Sequence, residues 1–221
     1  MTIKAIIFDM DGTIVDTEHI WTLATKNLLS SRAISQCTIE SSDVFNKIHG
    51  LAVDKSCKIL KDTFSLIDPL ELLIKEKSSF AISLYEREVR FIEGFIDFHK
   101  KITKAHLKTG LATNADDQTL EVTNKALNLT AYFGEHMYNV SCVDNRCKPD
   151  PALYLHTAQQ LDLDPTECIA IEDSAHGIIA AKKAGMRCIG INTIRNKKIL
   201  AHADLIIDGY EELDFNTLLQ F

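Results

Sequence analysis

Two aspartates lie close together near the start of the chain, as Asp9 and Asp11 in the segment Phe-Asp-Met-Asp-Gly-Thr. Carboxylates this close repel each other, and a bound divalent cation relieves the repulsion. Mg²⁺ prefers oxygen ligands and keeps several waters, so a few carboxylates and a substrate phosphate suit it. Gly12 permits a tight turn directly after the pair. The spacing alone is equally consistent with an Asx-type turn, because Asp and Gly are common turn residues.

Polar residues of the kinds that phosphate chemistry needs also follow later apolar runs. Thr113 and Asn114 offer a hydroxyl, an amide and helix-start N–H groups to an anion. Lys148 precedes a helix whose first turn is marked by proline. Glu172 and Asp173 open a further helix. Each has an ordinary explanation as a cap, a solvated lysine or a helix start, but their recurrence at strand ends favours one phosphate site.

The elements that must position these residues are short apolar runs separated mostly by helix-length segments. Such alternation predicts a doubly wound α/β fold with a parallel sheet. The first run is interrupted only by Lys4 and ends at Asp9, as expected for a strand buried on both faces. The predicted strands cover residues 3–8, 107–113, 168–171, 187–191 and 205–207.

Residues 17–88 break this rhythm, because they contain no strand-like run and show helical spacing, as at Leu70, Leu73, Ile74 and Lys77. We therefore predict an α/β core domain of residues 1–16 and 89–221, with a helical cap domain of residues 17–88 inserted into it. The two linkers should leave and re-enter at the carboxyl end of the first strand, where ligands of open α/β sheets bind. A cap over the active site is the expected geometry.

Composition restricts the classes of partner. The 221 residues are 46% hydrophobic and 25% charged, as in ordinary globular proteins, and the net charge of -7 opposes binding to nucleic acid or anionic membranes. The sequence starts without the features of a secretory signal and has no run of about 18 to 20 apolar residues. We expect a cytoplasmic monomer that binds neither nucleic acid nor membrane. The six cysteines form no CxxC pair, so zinc is only weakly indicated and buried reduced thiols are favoured.

Four motifs resemble those of the haloacid dehalogenase-like hydrolases, specifically the members with a small helical cap after the first strand. The resemblance covers nearly the whole chain. The first and last motifs are highly specific, whereas the middle two would be weak alone. The motifs are Phe-Asp-Met-Asp-Gly-Thr-Ile-Val-Asp-Thr at 8–17, Leu-Ala-Thr-Asn at 111–114, Lys-Pro-Asp-Pro at 148–151 and Ile-Glu-Asp-Ser-Ala-His-Gly-Ile-Ile-Ala-Ala at 171–181.

The resemblance implies a role for each matching residue. Asp9 would attack phosphorus and become a transient aspartyl phosphate, while Asp11 would act as general acid and then as general base. Thr113 would hold a phosphate oxygen, and Lys148 would tie that phosphate to Asp9. The substrate phosphate is then expected to lie against Asp9, Asp11, Gly12, Thr113, Asn114 and Lys148.

The resemblance also implies a metal site. Asp9, the backbone carbonyl of Asp11 and Asp173 would hold Mg²⁺, and Glu172 would support the metal shell. Dehalogenases of this family lack the second acid and need no metal, and its ATP-driven pumps carry threonine there. Asp11 therefore favours phosphate-ester chemistry, with a small-molecule phosphate ester as the substrate.

Two departures from the closest-looking members bear on the substrate. Those members are phosphatases of small metabolites and β-phosphoglucomutase-type enzymes. The mutases usually carry a histidine where this chain has Trp21, and a cap arginine that grips a second phosphate where this chain has Val53. We therefore favour a phosphatase acting on a sugar phosphate or a phosphoglycolate-like metabolite. The alternatives are a β-phosphoglucomutase-type phosphomutase and a non-catalytic phosphometabolite-binding protein.

The cap residues are harder to assign. His49 and Gly50 are predicted to form the cap loop that faces the substrate, the alternative being a surface loop. Lys77 is better explained as a solvated helix lysine than as a cation supplied to the site. Trp21 is expected in the core of the cap, with a substrate wall as the alternative. His176 receives no role.

Overall fold

A parallel sheet forms the centre of the computed structural model, which describes residues 3–48, 51–213 and 218. In this part of the chain the sheet has six strands in the order β3-β2-β1-β4-β5-β6, and all neighbouring pairs are parallel. The strands are β1 (Ala5–Phe8), β2 (Lys108–Ala112), β3 (Met137–Tyr138), β4 (Cys168–Glu172), β5 (Arg187–Ile191) and β6 (Leu205–Ile207).

Helices connect the strands, and most of them lie between β1 and β2. Those are α1 (Glu18–Ser30), α2 (Gln36–Ser41), α3 (Val44–Ile48), α4 (Val53–Phe64), α5 (Leu70–Glu88) and α6 (Phe95–Lys104). The later helices are α7 (Asp117–Leu127) and α8 (Thr130–Phe133) before β3, α9 (Ala152–Gln160) before β4 and α10 (Ala175–Lys183) before β5. No helix in the described part of the chain combines the length and apolar character that a membrane crossing needs.

The side chains of β1 alternate between two hydrophobic cores, one on each face of the sheet. Ile6 and Phe8 pack into one core, and Ala5 and Ile7 pack into the other. This explains why the strand is apolar at every position. With helices covering both faces, the predicted doubly wound α/β fold is confirmed. The first core includes Phe95, Phe98 and Ile102 of α6, and the second includes Leu153 and Tyr154 of α9 and Ile178 of α10.

The sequence located the other strands within one or two residues at their ends, but it did not predict β3. This strand has only two residues, which is too short for a periodic pattern. The chain runs from β1 outward to β2 and β3, then returns to β4 on the other side of β1. The carboxyl ends of β1 and β4 therefore flank a topological switch point, the usual place for a ligand in such sheets.

The helices α1 to α5 lie between two linkers that run side by side. The Asp16 N–H donates to the Arg90 carbonyl, and the Ile92 N–H donates to the Ile14 carbonyl, both at 2.9 Å. The Arg90 guanidinium also lies 2.6 Å from the Asp16 carboxylate. The chain thus leaves the sheet and returns to it at adjacent points beyond the carboxyl end of β1.

The helical segment has a hydrophobic core of its own and also contacts the α/β core. Leu28, Leu60 and Leu73, from three different helices, are fully buried together. Phe80 and Leu84 of α5 belong to a second apolar cluster that also includes Val122 of α7. The segment therefore rests against the α/β core on the side where β1 ends. The division into core and cap domains at residues 17 and 88 is retained as a proposal.

Candidate active site

A buried lysine joins two carboxylates at the switch point. The ammonium nitrogen of Lys148 lies 2.6 Å from Asp9 Oδ1 and 2.6 Å from Glu172 Oε1, and it donates to the Ala112 carbonyl at 2.8 Å. All three charged side chains are almost fully buried. Charges removed from water in this way are tolerated only when they are paired and hydrogen-bonded. The ends of β1, β2 and β4 therefore meet in a single ionic cluster.

Three carboxylates at the switch point suit a metal ion by their chemistry. Asp9, Glu172 and Asp173 each offer an oxygen, and these oxygens lie within 4.8 Å of one another. One ammonium cannot neutralise three carboxylates, so the cluster suits a divalent cation with oxygen ligands. The residues present thus fit the Mg²⁺ expected from the sequence.

Glu172 is positioned by three hydrogen bonds that occupy both of its carboxylate oxygens. Oε1 accepts from Lys148 and from the Tyr154 hydroxyl at 2.7 Å, while Oε2 accepts from the Ser174 hydroxyl at 3.1 Å. Ser174 also caps α10 by accepting the Gly177 N–H at 3.0 Å. These contacts suit the supporting role predicted for Glu172.

The pKa values in the cluster reflect its burial and its charges. Burial raises the pKa of Asp9 well above its usual value; Lys148 opposes this shift, and the charges of Glu172 and Asp173 add to it. Burial alone would lower the pKa of Lys148, but the carboxylates of Asp9 and Glu172 raise it above the normal lysine value. Lys148 is thus a permanent cation, and a bound metal would favour the ionised form of Asp9.

Asp11 lies beside this cluster but is held by a different set of residues. Its Oδ1 accepts a hydrogen bond from the Thr17 hydroxyl at 2.8 Å and another from the Tyr85 hydroxyl of α5. Trp21 Nε1 in turn donates to the Tyr85 oxygen at 2.9 Å. Burial raises the pKa of Asp11, although the hydrogen bonds from Tyr85 and Thr17 act in the opposite direction. A raised pKa suits the general acid predicted at this position.

Thr113 and Asn114, at the end of β2, present donors to the cavity. The Thr113 hydroxyl accepts the Ala115 N–H at 3.0 Å, which leaves its own proton available to a ligand. Asn114 Oδ1 accepts a hydrogen bond from the backbone N–H of Lys148 at 2.9 Å, and this contact fixes the orientation of the Asn114 side-chain amide. Its buried Nδ2 has no hydrogen-bond partner among the described residues. A buried donor of this kind needs a partner, and a phosphate oxygen would supply one.

Gly12 is required by a close approach as well as by the turn. Its φ is 80°, and a β-carbon there would lie 2.1 Å from Asp173 Oδ2. The Thr193 hydroxyl donates to the Gly12 carbonyl at 2.8 Å, which connects the loop after β5 to the loop after β1. The backbone after Asp11 is thus held against the carboxylate of Asp173.

A cavity of about 110 Å³ lies between the carboxyl ends of the strands and the helical segment. Its floor includes Asp9, Asp11, Thr113, Lys148 and Asp173. The opposite wall is mostly apolar, and its polar groups include Ser56 and Lys77. The apolar wall consists of Trp21, Phe45, Ile48, Leu51, Ala52 and Val53.

The expectation that Lys77 is a solvated helix lysine is wrong. Its side chain is buried, with 3% of the residue exposed, because it points from α5 into the cavity wall. The ammonium donates to the Ser56 hydroxyl at 2.9 Å and lies 5.7 Å from the centre of the Trp21 ring. Trp21 itself combines both roles considered for it, because it packs on Tyr85 in the helical segment and also lines the cavity.

Two of the predicted site residues lie between α3 and α4 in the sequence. His49 and Gly50 lie outside the described residues, so their expected contact with the substrate remains a prediction. Sequence reasoning overlooked Tyr85, Ser56, Tyr154 and Thr193. The first two are on the helical segment, where periodicity predicts a helix but not which side chains reach the sheet. Tyr154 and Thr193 act on other residues of the site and belong to no recognisable motif.

Comparisons with known proteins agree with this geometry. Residues 6–191 match the family model described as haloacid dehalogenase-like hydrolase. Hexitol phosphatase B of Escherichia coli K12 is 28% identical over 220 residues, which cover 98% of this chain and 97% of that protein. Beta-phosphoglucomutase of Bacillus subtilis is 25% identical over 223 residues, covering 97% of this chain and 93% of that enzyme.

Solved structures share the same architecture. A hydrolase of this family from Entamoeba histolytica superposes with a TM-score of 0.85, over 99% of this chain and 98% of that one. Its sequence identity of 18% supports a statement about the fold alone. The family model, in contrast, runs from the second residue of β1 to the end of β5 and includes every residue of the ionic cluster. The chain therefore belongs to the haloacid dehalogenase-like hydrolases.

Proposed function

We propose that this hydrolase is a Mg²⁺-dependent phosphatase that cleaves a small phosphate monoester through an aspartyl-phosphate intermediate. One observation carries the proposal: Lys148 holds the Asp9 carboxylate at 2.6 Å inside a buried cluster, while Asp11 is two residues away and facing the same cavity. Nucleophile, cation and acid are thus provided side by side. The phosphatases among its relatives support this reaction class.

The metal would be held by Asp9, Asp173 and the backbone carbonyl of Asp11, with Glu172 in support. When bound, Mg²⁺ supplies positive charge that offsets the repulsion between a carboxylate nucleophile and a phosphate dianion. Lys148 contributes to the same balance from the protein side. The Thr113 hydroxyl and the Nδ2 group of Asn114 would donate to the remaining phosphate oxygens.

In the first half-reaction, an oxygen of the Asp9 carboxylate forms a bond to phosphorus. The bond between phosphorus and the ester oxygen breaks, and its electron pair stays on that oxygen. Asp11 gives its proton to the departing oxygen, which leaves as an alcohol. An alkoxide is a poor leaving group at neutral pH, so this proton transfer is an essential part of the step.

In the second half-reaction, water attacks the phosphorus of the aspartyl phosphate. Asp11, now a carboxylate, accepts a proton from that water, and the bond between phosphorus and Asp9 breaks. Inorganic phosphate is released, and both aspartates return to their starting states. The net reaction converts one phosphate monoester and one water into an alcohol and phosphate.

The cavity wall supports a small substrate with a limited number of polar groups. Val53 and Leu51 offer no donor to a second phosphate, which favours water over a sugar phosphate as the acceptor. Lys77 and Ser56 would bind one hydroxyl or anionic group at the end of the substrate remote from phosphorus. A sugar phosphate or a phosphoglycolate-like metabolite meets these requirements.

A phosphomutase is the second candidate, and the buried cation of Lys77 is the observation that favours it. A cation in this wall can neutralise the second phosphate that a mutase must hold. The kinship with beta-phosphoglucomutase is compatible with this activity. A mutase would transfer the phosphoryl group back to a sugar hydroxyl and would need a bisphosphate as primer.

The test is a screen of metabolite phosphates with Mg²⁺, in which both released phosphate and isomerised sugar phosphate are measured. A phosphatase releases phosphate without a primer, and chelation of the metal by EDTA stops the release. Asp9→Asn should lose at least about 10³-fold in kcat, because it removes the nucleophile. Asp97→Asn, which changes an exposed acid on α6, is the matched control.

Three other results would contradict the proposal. Isomerisation that is faster than phosphate release and needs a bisphosphate would identify a mutase. Full activity of folded Asp9→Asn would exclude the aspartyl-phosphate route. Tight binding of one phosphate ester without turnover would identify a non-catalytic binding protein.

A further inference from the structure

We propose that Tyr85 is a positioning residue that fixes which oxygen of Asp11 carries the proton given to the leaving group. The inference rests on the proposed phosphatase reaction and extends it to a residue outside the four motifs. Tyr85 lies in the last turns of α5, is fully buried and does not line the cavity. It can therefore act on the substrate only through its neighbours in the cavity wall, Asp11 and Trp21.

The direction of the hydrogen bonds is set by the donors. The indole N–H of Trp21 can only donate, so the Tyr85 oxygen accepts from it at 2.9 Å. The single proton of the Tyr85 hydroxyl is then directed to Asp11 Oδ1. A tyrosine hydroxyl, whose ordinary pKa is about 10, keeps this proton at neutral pH.

Asp11 Oδ1 thus accepts two hydrogen bonds, one from Tyr85 and one from Thr17 at 2.8 Å. An oxygen that already faces two donor protons is a poor site for a third proton. Both hydrogen bonds to Asp11 that the described residues define by distance and angle end on Oδ1, and neither ends on Oδ2. The acid proton of Asp11 therefore resides on Oδ2, the oxygen left for the substrate in the cavity.

The origin of the donors adds a second consequence. Thr17 stands just before α1, and both Trp21 of α1 and Tyr85 of α5 belong to the helical segment. The same aromatic pair packs edge to face, with ring centroids 6.0 Å apart. The helical segment therefore orients the general acid as well as covering the substrate.

The experiment compares kcat/KM of wild type and Tyr85→Phe on two phosphate esters. One is an alkyl ester, glycerol phosphate or the best sugar phosphate of the screen, whose leaving oxygen needs a proton. The other is 2,4-dinitrophenyl phosphate, whose leaving group is stable as an anion. The constant kcat/KM reports the first half-reaction, in which Asp11 acts as the acid.

We expect Tyr85→Phe to lower kcat/KM on the alkyl ester by about 10- to 100-fold, part of the contribution of general acid catalysis, and to change it on the dinitrophenyl ester by less than about threefold. The ratio of the two constants does not depend on the fraction of folded enzyme. Tyr210→Phe is the matched control, because it removes a buried tyrosine hydroxyl that donates to the Thr13 carbonyl at 2.9 Å. Its effect should be equal for both esters.

Equal losses on both esters in Tyr85→Phe would reduce Tyr85 to a structural residue, and an unchanged ratio with full activity would remove it from the reaction. Either result overturns the inference. If wild type releases no phosphate from either ester, the proposed function itself fails, and that outcome is separate from the behaviour of Tyr85.

Discussion

The carboxylate of Glu172 occupies the space that a side chain on Gly177 would fill. A β-carbon at Gly177 would lie 1.8 Å from the Cδ and Oε1 atoms of Glu172 and 2.0 Å from Oε2. Gly177 is in the first turn of α10, and its N–H is bonded to Ser174, so the backbone cannot readily move away. The close approach allows a buried carboxylate to lie between the end of β4 and the helix while it supports Lys148.

Gly177→Ala is therefore expected to be harmful although alanine is the better helix former. Displacement of the Glu172 carboxylate would break its bonds to Lys148 and Tyr154, and activity should fall by at least about 100-fold, comparable to the loss of a preorganised catalytic contact. The overpacking should lower the free energy of unfolding by about 1–3 kcal/mol. Steady-state assays and urea titration measure these two effects.

A double variant tests whether the clash with the Glu172 carboxylate causes these losses. Glu172→Asp shortens the clashing side chain by one methylene, so the double variant Gly177→Ala/Glu172→Asp should regain part of the lost stability without regaining activity. Wild-type activity and stability in Gly177→Ala would contradict the close packing.

Lys77→Met should change substrate preference more than it changes chemistry. It keeps the length of the side chain but removes the cation that lies beside Ser56. For a sugar phosphate whose remote end reaches α5, kcat/KM should fall about 10- to 100-fold, the value of one charged hydrogen bond. Methyl phosphate carries no polar group beyond its phosphate for Lys77 to bind, and Lys77→Met should hydrolyse it as wild type does.

Lys75→Met is the matched control for this prediction, since Lys75 is exposed on the same helix. Equal losses with both esters in Lys77→Met would place Lys77 among residues that stabilise the fold. No loss with any substrate would exclude it from binding.

His99 should make the stability of the protein depend on pH in the weakly acidic range. The residue is buried among aromatic rings, and burial lowers its pKa below the ordinary histidine value of 6.5. The unfolded chain then binds a proton that the folded protein resists. This contribution to stability is complete above pH 6.5 and is lost as pH falls below 6.5, by at most about 1.4 kcal/mol per pH unit.

The measurement is the free energy of unfolding in urea at pH 7.5 and at pH 5.5. His99→Leu should lose less stability than wild type between these values, whereas His202→Leu, at an exposed position, should follow wild type. Identical pH dependence in wild type and His99→Leu would contradict the assignment.

Five of the six cysteines should separate into two groups by reactivity. Cys57, Cys168 and Cys188 are buried, and burial raises the pKa of Cys168 to about 12, so little thiolate forms at that position. Cys37 and Cys142 are exposed. Brief treatment of the native protein with iodoacetamide at pH 8 should therefore label Cys37 and Cys142, but not Cys57, Cys168 or Cys188.

Peptide mass spectrometry identifies the labelled positions, and the same treatment in urea provides the control in which all cysteines react. Labelling of Cys168 in the native protein at the rate of Cys37 would show that β4 is less protected than its burial indicates.

The positions of the strands that are apolar throughout could be predicted from the sequence, because a strand buried on both faces needs apolar residues at every position. The sequence was also sufficient for the proximity of Asp9 and Glu172, since Asp9 follows β1 and Glu172 ends the neighbouring parallel strand β4. Their catalytic roles remain predictions. β3 could not be found, because two residues carry no period.

The side-chain contacts of the helical segment could not be predicted from the sequence. Helical spacing around Lys77 located the helix, but the position of its ammonium depends on how α5 crosses α1 and rests on α7. The same holds for Tyr85, which is 74 residues away from Asp11 in sequence and yet donates to it. Contacts of this kind depend on how the helical segment packs against the α/β core. Local composition does not predict that packing.

The paired linkers at Asp16 and Arg90 have a consequence for how the protein can change. Because of their backbone hydrogen bonds, the chain leaves the sheet and returns to it at nearly the same point. The strand order of the sheet therefore does not depend on the length or fold of the segment between the linkers. A longer, shorter or differently folded insert can be accommodated there without rerouting a single strand. Substrate preference can thus diversify in the insert, while the ionic cluster below it is inherited unaltered.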